Sequence, residues 1–153
     1  MIVYSDNTAQ DVFLRQMQQS DFDNFEKEVG LEDLFDNKGY ISAKEYSHIL
    51  RVLWTSSYLE RENSEKILQF MADATVDFIQ RGLPNGVIFA DKYGENKLFS
   101  IFADSGIVYA NGKPYMITVI LKGKDSTEAS RQWAVDLMKQ ISEHAYQAGL
   151  SGD

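Results

Sequence analysis

Apolar positions keep a helical period through the first half of the chain and a strand period through most of the second. From Thr8 to about Gln18, Val12, Phe13 and Met17 share one helical face, and Asp6 or Asn7 stands where a cap for the free amides belongs. The acidic, glycine-broken stretch Ser20 to Tyr40 has no clean period and reads as a short helix plus loop, with Phe22, Phe25, Leu31, Leu34 and Phe35 turned inward. Ser42 and Glu45 make a capping box, after which Tyr46, Ile49, Leu50, Leu53 and Trp54 recur at helical steps. A further helix is expected over Ser64 to Arg81, with Ile67, Leu68, Met71, Val76 and Ile79 apolar, stopped by Gly82 to Gly86 with Pro84 inside it.

Beyond that stop the period becomes two. Val87 to Lys92 is a first strand, Leu98 to Ala110 contains a second, and Tyr115 to Leu121 is a third. Asn111-Gly112 signals a hairpin between the last two, because a type I′ turn needs positive φ at both positions. Asp125 and Glu128 open a final helix whose Trp133, Leu137, Met138, Ile141 and Ala145 form a stripe to lie across the sheet. The order predicts an α+β fold: a helical part, residues 1–86, then a three-stranded antiparallel sheet covered by a C-terminal helix, residues 87–153, both in one domain.

Composition narrows the partners. The chain has 153 residues, 44 % hydrophobic and 12 % aromatic, enough for one domain with a real core. Lys plus Arg is 15 against 23 Asp plus Glu, a net charge of -8, the wrong sign for phosphate backbones or anionic lipid. There is no cysteine, and His48 and His144 lie far apart, so neither thiolate chemistry nor a zinc site is expected. No apolar run approaches the roughly 20 residues that a membrane span needs, and Met1 to Asn7 is too polar and short for a signal peptide.

The candidate chemistry rests on two short strings in a fixed order. Ser5-Asp6-Asn7 precedes a helix; much later a strand carries Lys92-Tyr93-Gly94, preceded by Leu83-Pro84-Asn85-Gly86 and Ala90-Asp91. Gly106-Ile107-Val108-Tyr109 and the Gly112-Lys113-Pro114-Tyr115 corner follow. In order and flanks this resembles the C-terminal half of the class A β-lactamases and penicillin-binding serine hydrolases, whose elements are Ser-x-x-Lys, Ser-Asp-Asn and Lys-Thr-Gly. The likeness runs from Ser5 to the last helix.

The resemblance implies acyl transfer. Ser5 would pass a proton to the leaving nitrogen, and Lys92 would hold that hydroxyl and add positive potential. Asn7 would hydrogen-bond the amide side chain of a bound penicillin or peptide, while Asp6 braces its turn as structure. Tyr93, Gly94 and Glu95 would line the substrate, which pairs with the strand edge, and the Glu95 N–H would donate to the oxyanion. No metal or organic cofactor is implied; the expected ligands are a β-lactam or a peptidoglycan-type peptide, and the family is extracytoplasmic.

The chain also departs from that pattern. No serine has a lysine three positions on, so the acyl-forming serine and its lysine are missing, and the chain alone is expected not to acylate. It reads as a piece of a longer domain. Tyr93 stands where the family has Thr or Ser, which puts substrate preference in doubt. Glu26, Glu28 and Glu32 lie in the region of the deacylating glutamate without its Glu-x-x-Leu-Asn context, so slow release of an acyl group is expected. The piece should expose apolar groups such as Ile49, Leu53 and Ile67 and an unpaired strand edge, inviting a complementing chain or self-association.

Plainer accounts compete. Ser-Asp-Asn before a helix is an ordinary N-cap, Lys92 an ordinary strand-end lysine, His48 a surface or half-buried side chain, and His144 a complement to a helix C-terminus. The alternative function is a non-catalytic binding or assembly module that pairs through its sheet edge. A third reading is an unrelated small α+β interaction domain, which a Ser5–Lys92 separation beyond about two hydrogen-bond lengths would favour.

Overall fold

The computed structural model describes residues 1–31, 34, 41–110 and 112–151. Among the described residues there are five α-helices, α1 (Asn7–Leu14), α2 (Gln19–Val29), α3 (Ala43–Trp54), α4 (Arg61–Ala72) and α5 (Glu128–Ser151), and three strands, β1 (Ile88–Asn96), β2 (Ile101–Tyr109) and β3 (Tyr115–Lys122). The 3₁₀ turn Ile79–Gly82 lies between α4 and the sheet. The strands pair antiparallel in the order β1-β2-β3, so β1 and β3 are the two edges. The α+β architecture expected from the sequence is the one observed.

Alternation along the strands sends side chains into two separate layers. On one face Phe89, Phe102, Val108 and Val119 pack with Phe78, Ile79, Ala134, Val135 and Met138, joining the sheet to the 3₁₀ turn and α5. On the other, Ala90 and Ile107 pack with Leu50, Leu68 and Met71 of α3 and α4. The register sets Asp91 opposite Gly106, Lys92 opposite Ser105 and Tyr93 opposite Asp104. Asp91 therefore shares a face with Phe89, and Lys92 shares the opposite one with Ala90.

Local chemistry accounts for the helix starts. Asp6 Oδ1 accepts the Ala9 N–H at 3.1 Å and caps α1. Ser42 Oγ accepts the Glu45 N–H at 3.2 Å while Glu45 Oε2 accepts the Ser42 N–H at 2.7 Å, the expected capping box. Ser42→Ala is expected to cost about 1 kcal/mol, read as a lower urea midpoint at unchanged slope; an unmoved midpoint would show the cap to be idle. Ahead of α5, Asp125 Oδ1 gathers the Thr127 N–H at 3.1 Å and the Thr127 and Ser130 hydroxyls at 2.6 and 2.7 Å.

Three expectations are corrected. The helix expected to run on to Arg81 stops at Ala72, because the Thr75 N–H turns to the Val3 carbonyl at 3.1 Å and the Ile79 N–H to Asp104 Oδ2 at 2.9 Å. The first helix ends at Leu14 instead of near Gln18, and Val12, Phe13 and Met17 are exposed. In α5 Met138 and Ile141 of the expected stripe do pack on the core, but Ala134, Val135 and Ser142 are buried beside them and Trp133 is 46 % exposed. The reason is close packing: Gly82 sits directly against α5 at Lys139, Ser142 and Glu143, where only small side chains fit. At the β2–β3 hairpin, Lys113 N–H bonds the Ala110 carbonyl at 2.7 Å and Gly112 has φ +77°. Asn111, Glu32 and Phe35 lie outside the described residues.

Candidate active site

The site is assembled from two ends of the chain. Ser5 lies in the turn before α1 with φ 49°, a left-handed conformation that a serine adopts only under local constraint. Behind it, the Val3 carbonyl accepts both the N–H and the hydroxyl of Thr75, at 3.1 and 3.3 Å, which ties the N-terminal segment to the connection after α4. From the other side, β1 presents Lys92. Its Nζ donates to Ser5 Oγ at 2.5 Å and to the Tyr93 carbonyl at 2.9 Å, and lies 4.9 Å from the Tyr93 ring centre.

Ser5, Asp6, Asn7, Lys92, Tyr93, Gly94 and Glu95 line one cavity of about 300 Å³, together with Met1 and Gln10. All seven residues singled out in the sequence therefore meet in one place, and the separation that would favour an unrelated domain is not found. Asp6 spends its carboxylate on capping α1. Glu95 turns its side chain to α5, where Oε2 accepts from Arg131 Nε at 3.3 Å, so this carboxylate ties the edge strand to the covering helix. The Tyr93 ring packs on Phe78 at 5.6 Å between centres.

Electrostatics at the cavity are set by burial. Desolvation lowers the Lys92 ammonium pKa, and the negative charge of Asp91 and Asp104 acts in the opposite direction. Tyr46 on α3 donates its hydroxyl to the Lys92 carbonyl at 2.6 Å, and burial, with Asp104 and Asp91 nearby, pushes its pKa up, so it remains a donor. The sequence shows Tyr46 only as one member of an apolar stripe; nothing local marks its hydroxyl for β1.

The histidines have other partners. His48 Nε2 bonds the Val29 carbonyl at 2.7 Å, and His144 Nδ1 the Gln140 carbonyl at 2.7 Å within α5. Glu26 and Glu28 lie on α2 and do not line the cavity. Among the described residues no cluster of three or more His, Asp or Glu is placed to hold a metal ion, and no helix is long and apolar enough to cross a membrane.

A second cavity adjoins the first at Lys92. It has a volume of about 310 Å³ and is lined almost wholly by apolar groups, including Ile2, Phe25, Ile49, Leu53 and Ile67.

Solved structures share the fold. PBP-A superposes with a TM-score of 0.69 at 22 % identity, over 84 % of this chain and 50 % of that one. A class A beta-lactamase from Bacteroides cellulosilyticus DSM 14838 gives 0.74 at 19 % identity, over 97 % and 60 %. The TLA-3 extended-spectrum beta-lactamase gives 0.70 at 18 %, over 93 % and 60 %. The chain thus spans between half and three fifths of these proteins, and at such identities the likeness concerns the fold. No curated protein matches the sequence. The sequence pattern described as the beta-lactamase enzyme family matches residues 1–148, a stretch that reaches from before the cavity's serine well into the covering helix, and on that match the chain belongs to the beta-lactamase enzyme family.

Proposed function

We propose that this chain forms one wall of a penicillin-recognising acyl-transfer site whose nucleophilic serine comes from a Ser-x-x-Lys segment that it does not itself contain. The observation that carries the reading is the Lys92–Ser5 hydrogen bond across a cavity also lined by Asn7, Tyr93, Gly94 and Glu95. A serine held by an ammonium at this distance is fit to relay a proton to a leaving nitrogen, while the positive charge stabilises the developing anion. Asn7 then hydrogen-bonds the ligand's amide, the exposed edge of β1 pairs with an extended ligand, and the Glu95 N–H serves the oxyanion.

Support for a complementing segment comes from the apolar cavity beside Lys92, where Ile49, Leu53 and Ile67 remain only partly buried. An apolar helix carrying the nucleophile would cover these groups and arrive next to Lys92. A point mutant of PBP-A has been solved as an acyl-enzyme complex with penicillin G, the chemistry that this reading extends to a completed form of the chain. The acyl group should leave slowly, since no glutamate of α2 lines the cavity; steady turnover of a chromogenic cephalosporin by the completed protein would sink that part.

The test is to incubate the purified chain with penicillin, alone and with a peptide covering the segment upstream of Ser5, and to read the intact mass. The adduct is expected in the mixture only, on the peptide's serine. Absence of an adduct in both would overturn acyl transfer and favour a non-catalytic module that pairs through the free β3 edge.

A further inference from the structure

Packing alone does not account for Ser64. It stands four positions before Leu68 and seven before Met71, on the face of α4 that packs toward Ala90 and Ile107 of the sheet, and it is 1 % exposed. Its backbone N–H donates to the Glu60 carbonyl at 3.0 Å, but among the described residues nothing bonds its hydroxyl. A buried hydroxyl without a partner is destabilising, and alanine would fill the same place and favour the helix more. The hydroxyl does, however, face open space. Ser64 lines a third cavity of about 650 Å³, more than twice the volume of either cavity beside Lys92.

The walls of this cavity are Leu53 and Trp54 at the end of α3, Leu68 on α4, and Ile88 with its cross-strand partner Tyr109. Trp54 and Tyr109 meet at 5.8 Å between ring centres with their planes tilted by 57°, so two aromatic groups are held together on one side. Ile88, at the first pair of the β1–β2 ladder, is left 56 % exposed. The two charged residues that line the cavity, Arg61 and Glu65, neutralise each other through an ion pair of 2.7 Å. The cavity lies apart from the site described above: Ile88 precedes Lys92 by four positions, about 13 Å along a strand. On α3, Trp54 follows Tyr46, which bonds the Lys92 carbonyl, by eight positions, about 12 Å along the helix axis.

We infer that this cavity binds a flat, uncharged aromatic molecule with one polar group, its rings against Trp54, Tyr109 and the aliphatic wall and its polar group bonded to Ser64 Oγ. A charged ligand would enter a largely apolar space that offers it no unpaired opposite charge. A purely aliphatic one would cover the walls and leave the Ser64 hydroxyl as it is, buried and unbonded. An aromatic ring with a single hydroxyl or carbonyl satisfies both the walls and the serine.

The chain has two tryptophans; Trp54 lines this cavity, Trp133 lies on α5, and neither lines the apolar cavity beside Lys92. Titration with 2-naphthol, followed by the indole N–H resonances, is expected to shift Trp54 saturably and to leave Trp133 in place. No saturable shift at Trp54, or equal shifts at both, would overturn the inference. Ser64→Ala should weaken binding about fivefold, the worth of one net hydrogen bond, while the urea midpoint of the free variant stays at or above the parent's. Undiminished affinity in Ser64→Ala would also overturn it. Ala72→Phe, at the exposed end of α4, is expected to fill the cavity and abolish the Trp54 shift. If the variants fail to fold, naphthalene decides on the parent chain. It lacks the hydroxyl and leaves water more readily, so it should bind no better than 2-naphthol; tighter binding would mean that Ser64 takes no part. Displacement of 2-naphthol by the peptide upstream of Ser5 would make the cavity that segment's seat and overturn the inference. None of these readouts depends on acylation.

Discussion

Replacing Gly82 with alanine is expected to destabilise the chain by about 3 kcal/mol, the upper end of what one inserted methyl costs in a tight core. A Cβ there would lie 2.2 Å from the Lys139 carbonyl oxygen, 2.7 Å from Ser142 Cβ and 3.0 Å from the Glu143 nitrogen. Two of these atoms are helix backbone, so no side chain can swing aside; the 3₁₀ turn and α5 must separate. Separation opens the layer containing Phe78, Ile79, Ala134, Val135 and Met138, and pulls the Ile79 N–H away from Asp104. Gly149→Ala is the comparison, since nothing lies within 4 Å of its Cβ and helical alanine is favoured over glycine. Urea unfolding of the two variants reads the difference, and an unchanged midpoint for Gly82→Ala would show that the interface is looser than its geometry.

Lys92→Met is expected to slow acylation by penicillin in the complemented protein by about 10²–10³-fold, the loss typical when one preorganised electrostatic donor is removed. Two effects combine: the Ser5 hydroxyl loses its 2.5 Å donor, and the positive potential at the cavity disappears. Because Ser5 and Lys92 act through one hydrogen bond, Ser5→Ala combined with Lys92→Met should cost little more than Lys92→Met alone. Time courses of the intact-mass adduct measure both variants. A rate within tenfold of the parent for Lys92→Met would remove Lys92 from the chemistry.

The legible parts of this fold were those fixed by neighbours in sequence. The α3 start was written in Ser42 and Glu45, and the change of period after Gly86 announced the sheet. What stayed hidden was decided by contacts remote in sequence. Val76 and Ile79 continue a helical stripe, yet Thr75 is claimed by Val3 and Ile79 by Asp104, and no local pattern reports those bonds. The face of α5 was misread because Trp133 outweighs Ala134 and Ser142 in any count of hydrophobicity, whereas the structure needs small groups opposite Gly82. Ser5 and Lys92 could be paired only through a resemblance, since 87 positions separate them. Asp91 entered the sequence reading only as a flank of the lysine motif and Asp104 not at all, although each falls in phase with a buried phenylalanine two positions before it, Phe89 and Phe102, and that parity was a usable signal.

The pairing of β1 with β2 also works as an electrical partition. Consecutive residues 91 and 92 send an acid and a base to opposite sides of the same strand, the carboxyl group toward α5 and the ammonium toward Ser5. Inserting or deleting a single residue before this point in β1 would invert the polarity of both layers at once, placing an acid at the cavity and a lysine in the core. No one substitution could undo that inversion, so the length of this strand is constrained more tightly than the identity of most side chains along it.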